Sequence, residues 1–162
     1  MIRIGVDIMG GDYAPLETTL GAIAALNDLS PQEVHLVLIG DEKKITEIIE
    51  GQGVNPKSFT IVNATEVIEM SDSATRAFSQ KPNSGMAIGF GLLKQNKIDA
   101  FASAGNSGAM LVGSMFSVAE LIASRLIDRH GPSPSSWVWF LASVNLFGFE
   151  SPIFSHGLHH TT

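Results

Sequence analysis

The sequence predicts an α/β fold in which a mostly parallel, doubly wound sheet lies between helices, as in a three-layer α/β/α domain. Two observations lead to this prediction. Short apolar runs alternate along the chain with segments whose apolar residues recur at helical spacing. Two glycine-rich turns also connect the end of a predicted strand to the start of a predicted helix. Ligands of doubly wound sheets bind beyond the carboxyl ends of the strands, so both turns are candidates for a functional site.

The predicted strands and helices follow one another up to about residue 116. Strands are expected over Ile2–Asp7, Val34–Ile39, Phe59–Val62 and Ile98–Ala104. Helices are expected over Pro15–Asp28, at Ile45–Ile49, shortly after Ser71-Asp72, over Ser84–Gln95 and over Met110–Phe116. The second strand is a near-continuous apolar run, which is typical of a strand covered on both faces. Asp41 precedes the second helix and is its expected N-cap.

The predicted helix over Ser84–Gln95 contains three glycines, Gly85, Gly89 and Gly91. Each glycine weakens a helix by about 1 kcal/mol relative to alanine. We therefore expect this helix to pack closely against a neighbouring element.

Composition limits the possible classes of protein. The chain has 162 residues, of which 44% are hydrophobic, enough for one domain with a core. It has no cysteine, which excludes disulfides, thiolate metal sites and a cysteine nucleophile and fits a reducing compartment. The net charge of −6 makes nucleic acid an unexpected partner. Arg3 and Asp7 interrupt the apolar start, unlike a signal peptide, and no stretch reaches the roughly 18 to 20 apolar residues of a membrane span.

The first turn, Gly10-Gly11, lies between the strand Ile2–Asp7 and the helix that begins near Pro15. Two residues without a Cβ let the backbone turn sharply and approach a ligand closely. Asp12 supplies a carboxylate beside the turn. Free N–H groups and the helix dipole favour anions at such a turn. An ordinary tight connection is the alternative interpretation of a single glycine pair.

The second turn, Gly105-Asn106-Ser107-Gly108, follows the fourth predicted strand and leads into a helix. Two such turns at the same edge of one sheet are a better candidate for an anion site than either turn alone. Neither turn has the spacing of a nucleophile elbow, a Walker sequence or a dinucleotide-binding fingerprint. The sequence therefore favours non-covalent anion binding at this edge.

The polar residues around these turns have more than one interpretation. Asp7 can contact a substrate or cap the turn that follows it. Lys81 and Arg76 are the only cations between residues 58 and 93, and either can reach a phosphate or lie on a solvated helix face.

Residues 119–162 form a divergent tail for which we predict a non-native or poorly ordered segment. The tract Gly131–Ser136 is linker-like, and both tryptophans of the chain lie in this part. Three histidines near the end, His156, His159 and His160, lack a carboxylate or cysteine partner nearby, so no metal site is expected.

Several motifs in order resemble one known family, the bacterial phosphate acyltransferases of phospholipid synthesis, which use acyl carrier protein. The opening motif is Val-Asp-Ile-Met-Gly-Gly-Asp-Tyr-Ala-Pro at residues 6–15. The resemblance continues through Leu38–Asp41, Glu66–Met70, Lys81–Ser84 and Ser103–Ala109, and covers about residues 1–118.

The resemblance implies the N-terminal part, with an incomplete sheet, of a cytoplasmic and usually dimeric enzyme, loosely bound at the inner face of the membrane. Such an enzyme moves a fatty acyl group from acyl carrier protein to inorganic phosphate and gives acyl phosphate. It needs no cofactor and no metal.

Phosphate is itself the nucleophile of that reaction, so no serine or cysteine needs activation. The predicted catalytic residues are Asp12, Asn106 and Ser84. Asn106 would orient phosphate or donate to the oxyanion, and Asp12 would accept a proton from dihydrogen phosphate or position a water. The predicted phosphate- and substrate-binding residues are Asp7, Gly10, Gly11, Lys81, Ser107 and Gly108.

Two departures from the family pattern leave alternatives open. Ser84-Gly85 stands where members usually have two adjacent serines, and members are about twice as long as this chain. One alternative is a short-chain phosphotransacylase that uses coenzyme A thioesters. The other is an inactive truncated remnant.

Overall fold

The computed structural model describes residues 1–30, 32–115 and 117. Within them, four parallel strands form one sheet in the order β3-β2-β1-β4. The strands are β1 (Ile2–Asp7), β2 (Val34–Gly40), β3 (Thr60–Asn63) and β4 (Ala100–Ser103). The predicted α/β class with a parallel sheet is confirmed. β2, β3 and β4 differ from their predicted ranges by one or two residues at their ends.

The helices lie in the gaps between the strands, as predicted. They are α1 (Leu16–Asp28), α2 (Glu42–Gly51), α3 (Ala74–Gln80) and α4 (Gly85–Lys94), with a short 3-10 turn at Pro56–Ser58. Asp41 caps α2 as predicted, because its carboxylate accepts the Lys44 N–H at 3.2 Å. A further helical segment covers residues 107–115 and begins three residues before the predicted start at Met110.

Both faces of the sheet are covered, and β2 shows how. Leu36 and Leu38 belong to an apolar cluster with Ile45 and Ile49 of α2, and residues of α1 pack against the same cluster. Val37 and Ile39, which follow these two leucines in sequence, belong to a second cluster on the other face of the sheet. This second cluster includes Phe90 of α4. Alternate side chains of a strand point to opposite faces, so one apolar run can serve two cores. The result is a three-layer α/β/α arrangement.

The order of the strands reverses beside β1. The chain moves outward from β1 through β2 to β3, then returns to place β4 on the other side of β1. Asp7 at the end of β1 therefore has Ile39 of β2 on one side and Ser103 of β4 on the other. In doubly wound sheets the crevice for ligands forms where the order reverses. That position lies beyond Asp7 and Ser103.

Close packing explains two of the three glycines in α4. A Cβ on Gly89 would overlap with the ring of Phe101 on β4, and a Cβ on Gly85 would overlap with the Asp7 carboxylate. A Cβ on Gly91 would meet nothing within 4 Å. The expectation of a close neighbour is thus confirmed at positions 85 and 89 and is wrong at position 91.

The predicted tail 119–162, with its linker-like tract and its histidines, lies outside the described residues, as does Phe116 at the end of the predicted last helix. Among the residues that the structure does describe, none of the helices combines the length and the apolar character needed to cross a membrane.

We predict opposite effects for two alanine substitutions in α4. Gly89→Ala should lower the free energy of unfolding by about 1–3 kcal/mol, because the added methyl group displaces the Phe101 ring. Gly91→Ala should raise it by about 0.5–1 kcal/mol, because alanine is the better helix former and has room there. Urea unfolding followed by circular dichroism measures both. Equal effects of the two substitutions would contradict the packing described for Gly89.

Candidate active site

The two glycine-rich turns meet beyond the carboxyl ends of β1 and β4. These strands are parallel neighbours, and Asp7 lies opposite Ser103 in their register. The turns that follow are in direct contact, because a Cβ on Gly10 would lie only 2.7 Å from the Gly105 nitrogen. The expectation that both turns share one edge of the sheet is confirmed. A side chain at position 10 would push the turns apart.

A buried carboxylate links the bases of the two turns. The Ser103 hydroxyl donates to Oδ2 of Asp7 at 2.8 Å and accepts the Gly105 N–H at 3.1 Å. The Met9 N–H donates to Oδ1 of Asp7 at 3.1 Å. Burial raises the pKa of Asp7, and the hydrogen bonds from Ser103 and Met9 oppose that rise. Asp7 is 4% exposed and bonds residues at the base of both turns. Its bond from the Met9 N–H agrees with the interpretation of Asp7 as a turn cap.

Several main-chain amides of the turns have no partner among the described residues. These are the N–H groups of Gly10 and Gly11 in the first turn and of Ser107 and Gly108 in the second. Gly11 has φ of +107°, a conformation that glycine adopts at low cost. Ser107 and Gly108 are the first residues of a helical segment, whose N–H groups cannot form intrahelical bonds. Amides of this kind bind anions.

Asn106 uses both ends of its side-chain amide within the protein. Its Nδ2 donates to the carbonyl oxygens of Glu69, Met70 and Asp72, at 3.0, 3.3 and 3.1 Å. Its Oδ1 accepts the Ala109 N–H at 2.9 Å and so caps the helical segment 107–115. Asn106 therefore attaches the loop 69–72 to the start of that segment. Its proposed contact with phosphate stays a prediction.

Lys81 holds the same loop from the other side. Its ammonium group donates to the Val67 carbonyl at 2.7 Å and to the Asp72 carboxylate at 2.5 Å. The bond from Lys81 and the Glu69 N–H, in that order, lower the pKa of Asp72. The Lys81 side chain remains 29% exposed. Lys81 thus lies close to Asn106 through their common partner Asp72, and its role toward phosphate stays a prediction.

The remaining predicted residues differ widely in exposure. Ser84 is fully buried and caps α4 by accepting the Ala87 N–H at 3.3 Å. Asp12, beside Gly11, is exposed, and so is Ser107. Arg76 is exposed on α3. The catalytic roles of Asp12 and Ser84 stay predictions, but only Asp12 of these two lies at the surface of the turn region.

Similarity to known proteins indicates the family of this chain. A family model described as "Fatty acid synthesis protein" matches residues 2–130. The chain belongs to this family. The match extends past residue 118, where we placed the boundary of the resemblance, and that boundary stays a prediction.

Curated relatives in this fatty acid synthesis family carry the name phosphate acyltransferase. The chain is 37% identical over 133 residues to the relative from Thermoanaerobacterium thermosaccharolyticum, an alignment that covers 82% of this chain and 37% of the relative. It is 38% identical to the relative from Dictyoglomus thermophilum, over 74% of this chain and 35% of that one. It is 40% identical to the relative from Acetivibrio thermocellus, in an alignment that covers 72% of this chain and 34% of the relative. The resemblance predicted from the motifs is confirmed, and the chain spans little more than a third of the length of these relatives.

The sequence patterns predict neither the role of Ser103 nor the reason for Gly85. They place Ser103 in the fourth strand without a role, but it is a buried polar residue whose hydroxyl donates to Asp7. The sequence does show a hydroxyl, Ser103, near the carboxyl end of one predicted strand and a carboxylate, Asp7, at the end of another. Predicting their hydrogen bond also requires the knowledge that β4 pairs with β1.

We predict a pH-dependent contribution of Asp72 to stability. Its pKa is lowered in the folded state, so its contribution is fully present above the unfolded pKa of about 3.9 and is lost as pH falls through the folded value. The difference in free energy of unfolding between the wild type and Asp72→Asn should therefore be constant from pH 7 to 5 and shrink below pH 4.

Urea unfolding between pH 7 and 2.5 measures this difference. The difference in free energy of unfolding between the wild type and Lys81→Met should also shrink below pH 4, because this substitution removes the partner that lowers the Asp72 pKa. A difference that grows as the pH falls below 4 would contradict the ion pair as the cause.

Proposed function

We propose that this protein acts as a phosphate acyltransferase, which moves a fatty acyl group from the thioester of acyl carrier protein to inorganic phosphate and releases acyl phosphate for phospholipid synthesis. Membership of the fatty acid synthesis family and the name of its relatives support the class of reaction. The observation that carries the proposal is the pair of glycine turns, which brings amides that have no partner among the described residues to one edge of the sheet.

The reaction requires two things of the protein. A phosphate oxygen attacks the thioester carbonyl carbon, a tetrahedral oxyanion forms, and the C–S bond breaks to release a thiol after proton transfer. The protein must therefore hold a phosphate dianion near the carbonyl and stabilise the oxyanion. Preorganised N–H groups do both without reorganisation during the reaction. The amides of Gly10, Gly11, Ser107 and Gly108 suit these tasks.

The exposed Asp12 is the proposed proton acceptor. It follows Gly11 directly, and its carboxylate faces solvent beside the turn. A carboxylate in that position can take a proton from dihydrogen phosphate and so make the attacking oxygen more nucleophilic. We assign to Asn106 the task of holding Ser107 and Gly108 at the start of their helical segment, since it caps that segment.

The cell context belongs to the same proposal. We propose a cytoplasmic protein that binds loosely at the inner face of the membrane and forms a homodimer, as its resemblance to the family implies. Acyl carrier protein and inorganic phosphate are its proposed partners.

The first experiment measures phosphate-dependent loss of thioester. The chain is incubated with long-chain acyl thioesters of acyl carrier protein, with and without inorganic phosphate, and free thiol and acyl phosphate are quantified. We expect acyl phosphate only when phosphate is present. Turnover of coenzyme A thioesters alone would replace the proposal with a short-chain phosphotransacylase. Absence of turnover by this chain, with activity in a full-length relative, would overturn the proposal for this molecule.

A pair of substitutions at Ser107 tests the amide cradle. Ser107→Pro deletes the N–H group at the first position of a helical segment, where proline fits the backbone. Ser107→Ala keeps the N–H and removes only the hydroxyl. The loss of one preorganised donor typically lowers the rate roughly 100- to 1,000-fold, so Ser107→Pro should be slower than Ser107→Ala by about that factor. Equal rates for both variants, with circular dichroism unchanged, would show that this amide does not serve the reaction.

A further inference from the structure

We infer that Ser103 is a positioning residue of the anion site, and that its hydroxyl sets the spacing of the two glycine turns through Asp7. The inference rests on the proposed function, because the turns it positions are the proposed phosphate cradle. It concerns two buried residues on the inner side of that cradle. Ser103 and Asp7 are 6% and 4% exposed.

A continuous series of hydrogen bonds joins the turns. It runs from the Met9 N–H to one oxygen of Asp7, from the other oxygen to the Ser103 hydroxyl, and from that hydroxyl to the Gly105 N–H. Met9 precedes the first glycine pair, and Gly105 opens the second turn. The Ser103 hydroxyl is the only group in this series that bonds both the carboxylate of one strand and the turn of the other.

The Ser103 hydroxyl both donates and accepts a hydrogen bond in this series. Its proton is donated to Asp7, and its oxygen accepts the Gly105 N–H. Ser103 is buried and its proton is already donated to Asp7, so it has no free proton to donate to a substrate. Its effect on the reaction therefore passes through the position of the turns.

The Asp7 carboxylate and the Ser103 hydroxyl lie close to the glycines of the first turn and of α4. A Cβ on Gly10 would lie 2.7 Å from the Ser103 hydroxyl oxygen and 2.9 Å from an Asp7 oxygen. On the opposite side, a Cβ on Gly85 would lie 2.9 Å from the Asp7 carboxyl carbon and would overlap with its other oxygen. The carboxylate thus fills the space between the first turn, β4 and the start of α4. In this chain a Cβ at position 85 would force the Asp7 carboxylate or the start of α4 to shift.

Two variants break the series at different places. Ser103→Ala removes the shared hydroxyl, and Gly85→Ala displaces the carboxylate without changing Ser103. Inorganic phosphate is the probe, titrated into each variant of the full chain and followed by calorimetry and by amide chemical shifts. Both variants should bind phosphate about 10- to 100-fold more weakly, since small misplacements of preorganised groups have effects of this size.

Matched controls separate positioning from general stability. Gly89→Ala destabilises the same helix against Phe101, away from the turns, and should leave the phosphate affinity within about twofold of the wild type, because the cradle is intact. Ser79→Ala removes a hydroxyl that donates to the Arg76 carbonyl on α3, and it should likewise leave the phosphate affinity within about twofold of the wild type. Phosphate affinity that falls equally in Gly89→Ala and Ser103→Ala would overturn the inference.

Amide hydrogen exchange tests the link independently of phosphate. In Ser103→Ala the exchange of the Gly105 N–H should accelerate roughly five- to tenfold, and that of the Met9 N–H should accelerate with it, because one hydrogen-bonded series holds both. Unchanged exchange at Met9 would overturn the inference. If the wild type fails to bind phosphate while both amides accelerate together, the link between the turns stands and the proposed function fails.

Discussion

The contact between Gly10 and Gly105 is the constraint on which the candidate site depends. Two backbone segments approach each other so closely that a Cβ on Gly10 would lie 2.7 Å from the Gly105 nitrogen, and a Cβ on Gly105 would lie 3.3 Å from the Gly10 Cα. This approach is possible because β1 and β4 are parallel neighbours, so the chain leaves both strands at the same edge. The reversal of strand order beside β1 thus does more than organise the sheet. It brings together two sets of amides that have no partner within the described part of the chain.

Polar side chains stabilise the surroundings of this contact from within the protein. Asp7 and Ser103 act beneath the turns, while Asn106 and Lys81 attach the loop 69–72 beside the second turn. Each of these groups forms hydrogen bonds with main chain or with another side chain. In this arrangement the side chains hold the backbone, and the main-chain amides are left for the anion. A site that binds an anion through main-chain N–H groups needs a rigid backbone more than it needs additional side-chain donors.

Sequence patterns predicted the layers well and the inner side of the site poorly. The apolar run at 34–39 and the cap at Asp41 depend on local chemistry, and both are present as expected. The contact between the glycine turns followed from one rule about parallel strands. The partners of Ser103 did not, because a serine in a strand shows neither which strand pairs with it nor which face it occupies. Gly91 illustrates the converse error, since local weakness in a helix does not prove a close neighbour.

The hydrogen bond between Ser103 and Asp7 joins residues 96 positions apart in sequence. A ribosome adds about 5–20 residues per second, so β1 is synthesised several seconds before its second neighbour exists. During that time β1 can pair with β2, but the Asp7 carboxylate has no hydroxyl partner and keeps its water. Dehydration of this carboxylate therefore belongs to the step in which β4 docks. The candidate site is thus assembled late, and a chain released before residue 103 would contain the first glycine turn without the surface that gives it a function.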